Sequence, residues 1–231
     1  MSTVVAKHSN AYLVQNFLQK LKNHILGRLL PAHETIDTGE EFTQAQRNAL
    51  AIINGRIYRH KVLRINYTTY DLRRAQDSLN PRTHSDIMVL SHEDLEKDLE
   101  NPHPYWYARV IGIFHVDIRY NGPEIANQQP KRIDFLWVRW FARHSRSKYG
   151  WAVRRLPCVG FYPRGDPNAF GFINPDNVIR AVHLIPAFRY GRTTELLPPS
   201  IARHESDNDE DWDWYYVNMY DIQHSRIILT D

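Results

Sequence analysis

Across residues 11–30, "AYLVQNFLQKLKNHILGRLL" sets Val14, Phe17, Leu18, Leu21, Ile25 and Leu29 three or four apart, with Gln15, Lys20, Lys22 and Arg28 elsewhere. That period gathers the apolar side chains onto one stripe and predicts an amphipathic helix, stopped by Pro31. "PAHETIDTGEEF" carries no period and reads as a loop. Thr43 and Gln46 then make a T-x-x-Q capping pattern, which predicts a second short helix running toward Asn54-Gly55.

After Gly55 the period changes to two. "RIYRHKVLRINYTTYDL" is rich in Ile, Val, Tyr and Thr and predicts two strands joined near His60-Lys61. "SLNPRTH" is a turn, because Pro81 disfavours helix at Asn80. "SDIMVL" predicts a short strand, and "SHEDLEKDLEN" a short acidic helix capped by Ser91. "YWYARVIGIFHVDIRY" (105–120) predicts a long strand bent at Gly112, and "IDFLWVRWFAR" another. Shorter strands follow within "GWAVRRLPCVGFYP" and "AFGFINPDNVIRAVHLIPAF", with a last one at 212–221. Strands at this spacing with few helices predict a mainly β (α+β) chain, folded as a partly open antiparallel barrel. Residues 1–55 read as a helical N-terminal arm and 56–231 as the β-rich domain.

Within "DFLWVRWFAR" (134–143), Asp134, Leu136, Val138 and Trp140 share one strand face, and Phe135, Trp137, Arg139 and Phe141 the other. Both faces are apolar, so the strand is expected to be central, with its tryptophans in the core and Arg139 reaching past its neighbours to the surface.

Composition narrows the function classes. The chain has 231 residues, 42% hydrophobic and 24% charged, enough for a packed core. One cysteine, Cys158, cannot form an internal disulfide, which predicts an intracellular, reducing compartment. The first fifteen residues lack a long apolar run, and no stretch is long enough to span a bilayer, so no membrane role is expected. Net charge is only +3, but it is unevenly spread. Basic residues crowd 131–164 (Lys131, Arg132, Arg139, Arg143, Arg146, Lys148, Arg154, Arg155, Arg164), and a second run holds Arg56, Arg59, Lys61, Arg64, Arg73, Arg74 and Arg82. Acids concentrate at 93–100 and 205–213. Such polarisation suits an anionic partner.

Catalytic patterns fare poorly. Asp37-Thr38-Gly39 matches the aspartic-protease tripeptide, but Glu40 and Glu41 follow it and no flap-and-strand pattern accompanies it. Asp71, Asp77, Asp86, Asp117, Asp134 and Asp176 read as turn or edge residues rather than a two-metal nuclease site. The twelve histidines include no H-x-H or H-x₃-H pair, and "DNDED" (207–211) lacks the glycine of a calcium loop, so a solvated loop and no metal are expected. His183, in an apolar run, reads as a core histidine. No cofactor is expected, and no catalytic residue. Binding chemistry remains. Arg139, Arg143, Arg146, Lys148, Arg154 and Arg155 are candidate contacts to phosphates or to an acidic partner. Tyr105, Trp106 and Tyr107 are candidates for an aromatic pocket able to cage a methyl-ammonium.

Two likenesses bear on this reading. Ala108-Arg109-Val110, Val138 to Arg143, Val182 to Phe188 and Trp214-Tyr215-Tyr216 together resemble the strand motifs of the bromo-adjacent homology (BAH) domain, over roughly 105–221. "RIYRHKVLRINYTTYD", "DSLNPRTHSDIMVLS", "HPYWYARVIGIFHVD" and "FRYGRTTELLPPSIAR" resemble a C-terminal module of transposon-associated proteins of mushroom-forming fungi, related to a domain that trails plant CACTA-type transposases. The first implies a BAH-like barrel. The second implies mobile-element origin and nuclear work, without catalytic residues. Together they lead to the expectation of a non-enzymatic interaction module acting on DNA, a nucleosome or histone tail, or a transposase-related protein. The rival expectations are a protein–protein scaffold docking through the helix at 11–30, and a degenerate nuclease or protease.

Overall fold

The computed structural model describes residues 17–30, 42–68, 73–91, 103–125, 128–144, 149–150, 153–200, 202–203 and 207–218. Asp37-Thr38-Gly39, the acidic segment 92–100, Arg146 and Lys148 lie outside them. Two helices come first, α1 (Phe17–Leu29) and α2 (Gln44–Ala49). The strands are β1 (Leu50–Ile52), β2 (Tyr58–His60), β3 (Leu63–Thr68), β4 (Arg74–Leu79), β5 (Asp86–Leu90), β6 (Tyr105–Tyr120) and β7 (Lys131–Arg143). They continue with β8 (Cys158–Phe161), β9 (Phe170–Ile173), β10 (Val178–Ala181), β11 (Leu184–Pro186), β12 (Arg192–Thr193), β13 (Asp211–Trp212) and β14 (Tyr215–Val217).

The chain is mainly β, and its principal sheet is a curled antiparallel half-barrel. Two long strands organise it. One edge of β6 pairs with β7, and the other is shared in turn by β5, β2 and β1. The far edge of β7 is shared by β9 and then β8, from which the sheet continues to β14 and β11. β10 closes the path beyond β5. The expected bend falls where the β6–β7 register slips, between Val110 and Gly112. A Cβ at Gly112 would stand 2.3 Å from the Phe114 ring, so any other residue there would have to push that ring aside.

Apolar layers cover both faces of the β6–β7 pair, which explains why "DFLWVRWFAR" is apolar on both sides. On one face Phe17, Leu21, Ile25 and Leu26 of α1 pack against Phe135, Trp137 and Phe172. Phe17 meets Trp137 and Phe172 edge-on at 5.4 and 5.1 Å. On the other face Leu136 and Val138 join Ile87, Val110, Leu79 and the inner residues Leu63 and Ile65 of the β3–β4 hairpin. A third cluster, centred on Phe141, Phe161, Tyr107 and Tyr215, fills the end under β8 and β14.

Helix α1 is therefore a layer of the core. Leu21, Ile25 and Leu26 are fully buried, and β1 inside the expected arm pairs with β6, so packing runs unbroken across the boundary drawn at 55/56. The expected capping box is present: Thr43 accepts from the Gln46 backbone, and the Gln46 side chain accepts from Thr43. That helix ends earlier than the sequence suggests, because Leu50–Ile52 is recruited into the sheet, and the turn follows at Asn54 and Gly55 with φ of 55° and 59°. The last expected strand is broken into β13 and β14.

Candidate functional site

Arg139 does not reach the surface. It is 1% exposed, and its two terminal nitrogens donate to the two oxygens of Asp211, both at 2.9 Å. Arg203 donates to the same carboxylate at 2.7 Å, giving a buried Arg–Asp–Arg triad. Burial opposes ionisation of Asp211, but the two guanidinium hydrogen bonds win and hold its carboxyl below the ordinary aspartate value. Beside it, Arg109 forms a bidentate pair with Asp86 at 2.7 and 3.0 Å. The Phe161 ring lies under both guanidiniums, 3.7 Å from Arg139 and 5.1 Å from Arg109. These arginines hold the fold, and Asp86 and Asp211 are not the turn and loop residues their sequence context suggests.

Of the other basic candidates, Arg143 is half-buried and donates to the Tyr149 hydroxyl at 2.8 Å. Arg154 and Arg155 are exposed, in a turn closed by the Gly150–Arg155 bridge. Strand alternation parts Trp106 from Tyr105 and Tyr107. Trp106 packs edge-on to Trp140 in the cluster under the hairpin, whereas Tyr107, on the opposite strand face, is buried in the third cluster. Tyr105 joins Tyr107 around His103, whose Nε2 lies 2.9 Å from the Tyr107 hydroxyl. His183 is exposed rather than buried in the core.

The second basic run holds Arg64 and Arg74, and the fold sets them on one face of the β3–β4 hairpin, a pairing the sequence did not suggest. Its strands pair over six positions, Leu63 with Leu79 through Thr68 with Arg74. Alternation sends Leu63, Ile65, Tyr67, Ala75, Asp77 and Leu79 inward, and leaves Arg64, Asn66, Thr68, Arg74, Gln76 and Ser78 exposed. The outer face thus carries two arginines, two amides and two hydroxyls, and no carboxylate. Asp77, the single acid in these two strands, is turned inward, where it accepts from the Ala181 backbone at 2.9 Å and sits 3.6 Å from Arg180. Arg180 in turn lies 4.6 Å over the Tyr67 ring, so the hairpin is pinned to β10 from below. On the outer face, Gln76 donates to Asn66 at 2.7 Å, holding the two amides side by side. Arg59, Lys61 and Arg82, adjoining the hairpin in the chain, are exposed as well.

The signal for this face was a period-two alternation, R-x-N-x-T and R-x-Q-x-S, interleaved with weakly apolar residues. β4 (RAQDSL) has too few apolar positions to declare itself a strand.

The chain matches no family model, no curated protein and no solved structure. Among the described residues no helix is long and apolar enough to cross a membrane.

Proposed function

We propose that this chain is a non-enzymatic module that binds duplex nucleic acid through the outer face of the β3–β4 ribbon. One observation carries the reading: all six outward positions of the two-stranded ribbon, three on each strand, are arginine, amide or hydroxyl, with the only acid of these strands turned inward. A two-stranded ribbon fits the major groove, about 12 Å wide, where arginine pairs with guanine and asparagine or glutamine with adenine. Six residues at about 3.4 Å each give the ribbon roughly 17 Å of reading length from first to last Cα. Arg59, Lys61 and Arg82 are placed to meet phosphates, which position a ribbon without reading sequence. The likeness to transposon-associated fungal modules and to BAH-like barrels agrees with work on DNA or chromatin in the nucleus, and it is the sole support for a mobile-element origin.

The rival readings have less to stand on. A scaffold docking through α1 would need its apolar stripe, and Phe17, Leu21, Ile25 and Leu26 are spent on the chain's own core, which leaves Leu18 exposed. A nuclease would need converging free carboxylates, whereas Asp77, Asp86 and Asp134 are each engaged by an arginine. Fluorescence anisotropy with a labelled duplex, over a salt series, tests the proposal. The expected result is saturable binding with log K falling linearly in log salt. No binding at low salt would end the proposal.

A further inference from the structure

We propose that His60, His115 and Asp134 form a binding site for a divalent metal ion of the zinc class. The three residues come from adjacent strands β2, β6 and β7, and their ligating atoms all lie within 4.8 Å of one another. This inference is independent of nucleic-acid binding.

Sheet register builds the site. His115 stands directly opposite Asp134 on one side and Tyr58 on the other. His60, two residues along β2 from Tyr58, reaches His115 diagonally, on the same face. The Tyr58 ring stacks on His115 with centroids 4.7 Å apart and planes within 11°, which fixes the imidazole. His60 Nε2 and His115 Nδ1 face each other at 2.6 Å. Two imidazole nitrogens at that distance are held by one shared proton, and a metal ion competes for the same lone pairs. Zinc–nitrogen bonds of about 2.0–2.1 Å in tetrahedral geometry set two ligand nitrogens roughly 3.3 Å apart, so the pair opens by about 0.7 Å to admit the ion. His60, the last residue of β2, makes that adjustment by rotation while the Tyr58 stack holds His115.

Asp134 now accepts from Arg132 at 2.7 Å, an exposed pair, and a carboxylate has lone pairs left for a metal beside one arginine. Two imidazoles and one carboxylate are nitrogen and oxygen donors of intermediate softness, which suits zinc rather than calcium or magnesium. Three protein ligands leave a fourth position to water. His60 lies three residues before Leu63, so the ion would clamp the end of β2 to β6 and β7 just ahead of the ribbon.

The test is calorimetric titration of the full chain with zinc chloride, repeated with cobalt(II) chloride while recording the visible spectrum. One ion per chain is expected, with a tetrahedral cobalt(II) band and a thermal midpoint raised by zinc. His60→Gln and Asp134→Asn, each shown to be folded by circular dichroism, are expected to weaken binding by about tenfold or more and to abolish the band. Absence of binding overturns the site. Equal binding in both variants also overturns it, since the ion would then sit on other histidines. Zinc that leaves the midpoint of the wild-type chain unchanged counts against it too.

Discussion

Replacing Asp211 with asparagine probes the buried triad, the least expected feature of the core. The substitution keeps shape and removes charge, leaving Arg139 and Arg203 facing each other at 1% and 8% residue exposure with no anion between them. Removing one partner of a buried pair costs about 3–5 kcal/mol, and here two guanidiniums are stranded at once, which places the expected loss at about 5 kcal/mol. Domains of this size are stable by about 5–15 kcal/mol, so Asp211→Asn is expected to leave the chain near its unfolding threshold. Urea denaturation followed by tryptophan fluorescence measures this, because Trp137 is 4% exposed in the core and must change environment on unfolding. A second variant separates mechanisms. If stranded charge is the cause, Arg139→Met combined with Asp211→Asn costs less than Asp211→Asn alone, because one of the two guanidiniums is gone. A loss below about 1 kcal/mol for Asp211→Asn, or a double variant that costs the plain sum of the singles, would refute the reasoning.

Other consequences are as direct. Burial, with Arg28 adding to it, pushes the His24 imidazole from 6.5 down to about 3, and its Nε2 has no hydrogen-bond partner. The unfolded chain therefore takes up a proton that the fold refuses, so stability is full above pH 6.5 and falls toward pH 3. Between pH 6.5 and 4.5 the loss is about 2.3 kcal/mol, and His24→Leu is expected to flatten that part of the stability–pH curve; an unchanged slope contradicts it. Leu21→Ala, on the buried stripe of α1, is expected to cost about 2–5 kcal/mol by urea denaturation, where a free arm would tolerate it within about 0.5 kcal/mol.

How much of this was readable beforehand depended on whether a residue's role is local. The long strands β6 and β7, the bend at Gly112 and the Thr43–Gln46 capping box were legible, because continuous apolar runs, a lone strand glycine and a T-x-x-Q pattern act on their own neighbourhoods. The fate of Arg139 was not. An arginine in an apolar strand reads as snorkelling to water, and only the partner 72 residues away, Asp211, makes burial tolerable. The same holds for His60 and His115, which are 55 residues apart and meet only through strand register. Tyr105, Trp106 and Tyr107 looked like one cluster by adjacency, but strand alternation sends Trp106 to one face and Tyr107 to the other. β4 escaped because its outward positions are all polar and its inward ones are Ala75, Asp77 and Leu79. That polar face, rather than the arginines around 139–155, became the candidate interface.

The most direct test compares duplex affinity at low salt in the wild-type chain with that of Arg64→Ala/Arg74→Ala, two exposed substitutions on the ribbon's outer face. If both arginines contact base edges in the groove, each substitution costs about 1–3 kcal/mol of binding with the fold intact. An affinity equal to that of the wild-type chain would contradict the account, because the ribbon would then lie away from the nucleic acid.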